Sequence, residues 1–344
     1  MKKSLLTAAC YFAGLVLALA QTANDPRQQF AAIGDFKLES GKIIQDCTIG
    51  YRTYGKLNSA KTNAILFPTW FGGTTKVLEF VTPWHAIDTT RFYLITADAL
   101  GNGVSSSPSN STKQHGSAFP FFTIRDMVET QHQLLAKLGI SQLTAVIGIS
   151  MGGMQTFQWA ASYPGIARHF IPIIGSPRPS GYDLMLYNLD RKIIEGDSAF
   201  NHGNYTVNPV LAPAAMLLQM AGTTPEYWVK NMSYENFPIW LKRVETAKSP
   251  DWNNTYYQVM ANIWQDISKT YGGSMQEVAN HIKAKMLIIV SKQDHLVNPT
   301  PAIEFSKLLP AKLIVLDSNK GHLAVSFGDP QMKQGIIDEL AEEK

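Results

Sequence analysis

Leu143-Thr144-Ala145-Val146-Ile147-Gly148-Ile149-Ser150-Met151-Gly152-Gly153-Met154 decides how the rest of the chain is read. It begins as an apolar run of strand type, and Met154-Gln155-Thr156-Phe157-Gln158-Trp159-Ala160-Ala161 follows at once with a helical pattern. Between the two lies Gly148-Ile149-Ser150-Met151-Gly152, a G-x-S-x-G sequence in the strand-to-helix setting that gives the motif its mechanism. The turn is tight, so side chains two positions either side of the serine would strike backbone. Glycine removes them and accepts unusual dihedrals. Ser150 is then expected on a strained, exposed corner at a helix N-terminus, where free N–H groups and the helix dipole favour a developing oxyanion. The alternative is a glycine-rich strand–helix turn carrying an incidental serine.

Working outward towards the N-terminus, Thr123 to Leu138 has helical periodicity, with Met127, Leu134, Leu135 and Leu138 on one face and Gly139 closing it. Phe92 to Ala97 and Ala64 to Pro68 are short apolar runs of buried-strand type. Phe36–Glu39, Ser40-Gly41 and Lys42 through Tyr54 read as a hairpin followed by extended chain. From Asp98 to Phe122 the chain is a long loop rich in Gly, Ser and Pro, of the kind that is often functional. Strands alternating with helices argue for an α/β fold, a mostly parallel central sheet flanked by helices. Loops after strand C-termini then gather at one edge. That makes Thr69 to Thr74 the source of a second oxyanion donor beside the backbone N–H of Met151. The N–H of Trp70 is the candidate, with the register open by one residue.

The first residues are not part of the fold. Lys2 and Lys3 precede an uncharged stretch from Leu5 to Leu19, and Ala18-Leu19-Ala20 gives a cleavage site before Gln21. Residues 1–20 read as a secretory signal peptide, which places the mature chain in the periplasm or outside the cell. An uncleaved anchor or a lipoprotein cysteine at Cys10 are the alternatives. After cleavage only Cys47 remains, so no internal disulfide accompanies export. A net charge of +3 with dispersed basic residues gives no reason to expect a nucleic-acid partner.

Towards the C-terminus, His169 to Gly175 reads as the next core strand. From Ser180 to about Lys283 the strand signal stops, and helical pieces fall around Leu184–Ile194, Ala214–Met220, Trp240–Ala247 and Tyr256–Ile267. This predicts a helical cap over 180–283, inserted into a core made of 21–179 and 284–344. Trp228, Trp240, Trp252 and Trp264 either line a substrate pocket or form the cap's own core. Met286–Val290 is a buried strand leading to Asp294. Lys312–Leu316 is the last strand, and the loop after it carries His322. Serine is a weak nucleophile until a neighbour takes its proton, histidine titrates near neutrality, and a buried carboxylate fixes the imidazole. Ser150, Asp294 and His322 therefore form the candidate catalytic triad, in the chain order this arrangement requires. Asp317 is the alternative acid. His85, His115, His202 and His295 are expected at the surface or in a pocket. No His/Cys/Asp cluster has metal-ligand spacing, and no cofactor is implied.

Phe122-Thr123-Ile124-Arg125-Asp126-Met127-Val128, Leu138-Gly139-Ile140 and Gly148-Ile149-Ser150-Met151-Gly152-Gly153-Met154-Gln155 resemble the corresponding segments of homoserine O-acetyltransferases. Ala86-Ile87-Asp88-Thr89-Thr90-Arg91-Phe92-Tyr93 and Leu100-Gly101-Asn102-Gly103 are similar to that family as well. The resemblance covers most of Ile49 to Ile174. It implies an α/β-hydrolase fold with a helical cap, a Ser-Asp-His triad and an acyl-serine intermediate, and it raises a homodimer that the residues leave open. The chain departs from the family where homoserine is held. Leu323 stands where the family has an aspartate after the catalytic histidine, Val210 to Leu217 contains no arginine, and Thr69-Trp70-Phe71-Gly72-Gly73 differs from the usual oxyanion loop. A desolvated amino-acid zwitterion needs charged partners. The sequence therefore favours an exported serine hydrolase acting on a small-molecule ester or related acyl substrate over an O-acyltransferase of the homoserine O-acetyltransferase type. Export also separates the chain from cytoplasmic acetyl-CoA. A catalytically silent binding protein on the same fold is the third reading.

Overall fold

The computed structural model describes residues 27–79, 84–247, 250–327 and 329–341, so the expected leader at 1–20 lies outside the described residues. The strands are β1 (Gln29–Lys37), β2 (Ile43–Tyr54), β3 (Ala64–Pro68), β4 (Tyr93–Ala97), β5 (Leu143–Ile149), β6 (Ala167–Ile173), β7 (Lys285–Ser291) and β8 (Ala311–Leu316). They form one sheet in the order β1-β2-β4-β3-β5-β6-β7-β8. β1 and β2 pair antiparallel, as do β2 and β4; every other pairing is parallel.

Parallel strands need helical crossovers, which cover both faces and explain the unbroken apolar runs. Alternate residues serve opposite cores. Leu66, Val146, Met286 and Ile288 join one apolar cluster, whereas Ile65, Phe67, Ile147, Leu287 and Ile289 join the other. The helices are α1 (Thr75–Leu78), α2 (Ile124–Lys137), α3 (Met151–Ser162), α4 (Gly181–Gly196), α5 (Ala212–Gly222), α6 (Pro225–Asn231), α7 (Phe237–Thr246), α8 (Trp252–Ile263), α9 (Met275–His281), α10 (Thr300–Ser306) and α11 (Pro330–Ala341). Met127, Leu134, Leu135, Met154 and Phe157 cover one face of the sheet. Met332, Ile336 and Leu340 of α11 cover the other.

β1 starts well before the predicted Phe36. Its register against β2 shifts between Ala32 and Gly34 and again between Gly34 and Phe36, which breaks the alternation that would announce a strand. Between β6 and β7 the described residues contain α4 to α9 and no strand. Ile194, Phe200, Leu211, Ala214 and Trp252 form a small apolar core there, so Trp252 is a packing residue. Cys47 is buried, and burial pushes its thiol up to about 12.

Candidate active site

β5 is buried along its whole length and delivers Ser150 to the edge of the sheet where the parallel strands end. Ser150 has φ 57° and ψ −120°, a conformation that costs a non-glycine residue on the order of 1–3 kcal/mol. Two hydrogen bonds hold it there. The Ser150 N–H donates to Ile173 O at 2.9 Å, and the Met154 N–H donates to Ser150 O at 2.9 Å. The flanking glycines have no substitute, because a Cβ on Gly148 would stand 2.1 Å from Gly152 O and one on Gly152 would stand 2.8 Å from Pro68 O.

The Gly152 contact also brings the loop after β3 against the first turn of α3. Gln155 fastens it there, with Nε2 donating to Thr69 O at 3.0 Å and Oε1 accepting from Gln131 Nε2 at 2.6 Å. In that loop the Thr69 N–H donates to Ala97 O, the Gly72 N–H to Gln258 Oε1 and the Gly73 N–H to Trp70 O. Among the described residues the backbone N–H of Trp70 has no such partner, and neither has that of Phe71. Met151 is the first residue of α3, where N–H groups lack an intrahelical acceptor. Donors are thus available at Met151 and at Trp70 and Phe71.

His322 arrives from the loop after β8. Gly321 turns the chain with φ +60°, a conformation suited to glycine, and Ser291 Oγ ties this loop to the end of β7 by donating to Gly321 O at 2.8 Å. The His322 ring is buried between two partners: Nδ1 lies 2.6 Å from Asp294 Oδ2 and Nε2 lies 2.9 Å from Ser150 Oγ. An ionised carboxylate only accepts, so Nδ1 carries the hydrogen and Nε2 is left to accept the serine O–H. The other oxygen of Asp294 accepts the N–H groups of Leu296 at 2.8 Å and Val297 at 2.9 Å. Asp317 is exposed and bonds Lys292 Nζ at 3.0 Å, away from this chain of contacts. A second buried histidine–carboxylate pair, His169 Nδ1 with Glu339 Oε1 at 2.8 Å, begins from the other end of the sheet near the start of β6. It joins β6 to Glu339 of α11, away from Ser150, so a His–carboxylate pair alone does not mark the site.

Two wide surface clefts, about 550 and 510 Å³, gather around Phe121 and Tyr257 and include none of Ser150, Asp294 or His322. A much smaller cavity of about 30 Å³ lies against the histidine loop, lined by Leu323, Thr223, Tyr227 and Trp228. The Trp228 indole packs edge-on to Trp240 at 5.1 Å, and its N–H is buried without a hydrogen-bond partner. Trp264 is exposed and meets Phe121 edge-on, with ring centroids 5.7 Å apart. Among the described residues no group of three or more His, Cys, Asp or Glu side chains is placed to hold a metal ion. Nor is any helix there long and apolar enough to cross a membrane.

Sequence reasoning overlooked Asp183 and Tyr187, which touch the turn holding Asp294. Ser180-x-x-Asp183 is a capping-box spacing that could have drawn attention to the first of them. It also overlooked Gln258, which reaches from α8 to bond Gly72 and the carbonyl of Leu100.

Residues 65–329 match a family described as "alpha/beta hydrolase fold". The chain is 32% identical over 329 residues to an ethyl acetate hydrolase of Pseudomonas veronii, covering 90% of this chain and 93% of that protein. It is 28% identical to a homoserine O-acetyltransferase of Methanococcus vannielii, covering 93% and 74%. The crystal structure of an acetylester hydrolase from Corynebacterium glutamicum superposes with a TM-score of 0.84 at 28% identity, covering 91% of this chain and 96% of that one. With an eight-stranded, mostly parallel sheet and relatives that are esterases and acetyltransferases, the chain belongs to the homoserine O-acetyltransferase-like family of α/β-hydrolase-fold enzymes.

Proposed function

We propose that the protein is an exported serine esterase acting on small acyl esters through an acyl-serine intermediate. The observation that carries this reading is the hydrogen-bonded line from Ser150 Oγ through His322 to Asp294, set on the strained turn at the head of α3. Ser150 Oγ attacks the ester carbonyl carbon while His322 Nε2 takes its proton. The carbonyl oxygen becomes an oxyanion held by the N–H groups of Met151 and Trp70. Collapse breaks the C–O bond to the alkoxy group, which leaves as the alcohol with the proton from His322. Water then attacks the acyl carbon, giving its proton to His322, and the carboxylic acid departs as Ser150 recovers its hydrogen.

Residues 180–283 serve in this reading as a cap on a core made of 21–179 and 284–344, and residues 1–20 as a cleaved leader. A short acyl group is in keeping with relatives named as an ethyl acetate hydrolase and an acetylester hydrolase. Acyl transfer to an acceptor such as homoserine is the second reading, favoured by the acetyltransferase relatives. Against it stand the apolar Leu323 and a helix α5 without any arginine. The deciding experiment offers the mature chain from Gln21 p-nitrophenyl acetate in water and, separately, acetyl-CoA with homoserine. The esterase reading expects p-nitrophenol release that Ser150→Ala abolishes, and no free thiol. Thiol release that depends on homoserine would replace it with the transferase. No serine-dependent turnover in either assay would leave a binding protein.

A further inference from the structure

Two helices open with the same device and use it differently. At α2, Thr123 Oγ1 accepts the Asp126 N–H at 3.1 Å and Asp126 Oδ2 accepts the Thr123 N–H at 2.8 Å. At α4, Ser180 Oγ accepts the Asp183 N–H at 3.3 Å and Asp183 Oδ2 accepts the Ser180 N–H at 2.7 Å. Both are reciprocal capping boxes. In each, the second carboxylate oxygen takes a distant backbone N–H at 2.8 Å: Glu39 for Asp126, Asn298 for Asp183. Glu39 belongs to the connection between β1 and β2. Asn298 belongs to the turn that holds Asp294.

That turn presents three successive N–H groups to two carboxylates. Leu296 and Val297 donate to Asp294 Oδ1, and Asn298 donates to Asp183 Oδ1. One helical turn along α4, the Tyr187 hydroxyl donates to Leu296 O at 3.2 Å. Thus α4 grips Leu296 and Asn298, the two ends of the turn whose Leu296 and Val297 N–H groups fix Asp294. The arrangement carries a cost, because Asp183 is fully buried, and desolvation, with the charge of Asp294 as a smaller contribution, pushes its carboxyl up. A capping oxygen alone does not require such burial. Aligned N–H donors offset both the desolvation and the repulsion between the two acids.

We propose that Asp183 is a positioning residue for the esterase site: through Asn298 it holds the Leu296–Asn298 turn so that Asp294 Oδ2 stays on His322 Nδ1. The proposal rests on the reading of Ser150, His322 and Asp294 as the triad. A turn freed from α4 would let Asp294 rotate, and the imidazole would lose the partner that sets its tautomer and its aim at Ser150.

The test sets Asp183→Asn beside Asp126→Asn in the mature chain. Both variants lose a buried capping charge, and each loses a like-charge neighbour, Asp294 or Glu39. Three readouts are taken: kcat and KM on p-nitrophenyl acetate, thermal unfolding, and the low-field proton resonance of His322 Nδ1–H. In Asp183→Asn, kcat should fall roughly tenfold to a hundredfold with KM within about twofold, as misplacement of a reacting group predicts. The resonance should shift or broaden. Asp126→Asn should lower the unfolding temperature and leave both kcat and the resonance as in the parent. Equal kcat losses in the two variants, or an unchanged kcat in Asp183→Asn, would overturn the proposal.

Should Asp183→Asn fail to fold, Tyr187→Phe decides. A kcat loss of about threefold or more at constant KM supports the proposal on the same grounds, and unchanged kcat and resonance overturn it. If the parent chain shows no serine-dependent hydrolysis, the esterase reading fails on its own. The resonance needs no substrate and still reports whether Asp183 sets the Asp294–His322 contact.

Discussion

Around Ser150 the chain is shaped by what the backbone must avoid; between β6 and β7 it is shaped by what side chains fill. At the serine corner, glycines at 148 and 152 stand where any Cβ would meet a carbonyl oxygen, and a strained φ is held by two backbone hydrogen bonds. In the helical stretch, Gly181 and Gly196 have nothing within 4 Å of a would-be Cβ. Identity there rests on aromatic packing and on single reaches such as Asp183 to Asn298. The difference teaches that the proposed nucleophile is specified locally, whereas its support is specified by elements distant in sequence.

The sharpest way to break this contrast is glycine substitution. Gly148→Ala should leave either no folded protein or a chain at least about a thousandfold less active, because the clash is with backbone that cannot move aside. Soluble yield and p-nitrophenyl acetate turnover measure it. Gly181→Ala should change stability by no more than about 0.5 kcal/mol in denaturant unfolding, and in the stabilising direction. A Gly148→Ala protein with a tenth of parental activity would remove the contrast.

The next largest effect separates the two candidate acids. Asp294→Asn should lower kcat by roughly a thousandfold or more, since an amide in that place favours the wrong imidazole tautomer. Asp317→Asn should leave kcat within about twofold, as an exposed pair with Lys292 carries little.

How far the sequence could be read follows the same division. Ala64–Pro68, Leu143–Ile149 and Lys285–Ser291 are legible because both faces of the sheet are covered, so their apolar runs are unbroken. The order of Ser150, Asp294 and His322 places each after a strand, and the structure brings the three side chains into one line of hydrogen bonds. β1 is hidden by its register shifts, and α6, α9 and α11 are left unannounced by short or mixed patterns. No local pattern separates Trp252, which is packed in a small core, from Trp228, which lines the cavity beside Leu323. The contact between Asp183 and Asn298 depends on the approach of two elements 115 positions apart.

A smaller effect tests the helical stretch on its own terms. Asp190 lies on the buried face of α4 with neither carboxylate oxygen hydrogen-bonded, and burial raises it from 3.8 to about 7. As pH rises from 4 to 7 the unfolded chain loses this proton while the folded chain keeps it. Stability therefore falls across that window and levels off above pH 7. Asp190→Asn should flatten the dependence and raise stability at pH 8 by about 4 kcal/mol, an order-of-magnitude figure from the same linkage. Unfolding curves at pH 5 and pH 8 check the sign, and an unchanged slope between them would show that Asp190 is solvated.

The smallest expected effect is at Cys47, where burial and a raised thiol predict no alkylation of the folded mature chain by iodoacetamide and full alkylation after denaturation.

The central claim is that Ser150 is made nucleophilic by His322. Intact-mass and peptide analysis of the mature chain after exposure to a fluorophosphonate tests it most directly. The account predicts one adduct per chain, on Ser150, with the rate falling at least about a hundredfold in His322→Ala, as loss of the general base requires. No adduct, an adduct elsewhere, or equal labelling without His322 would contradict it.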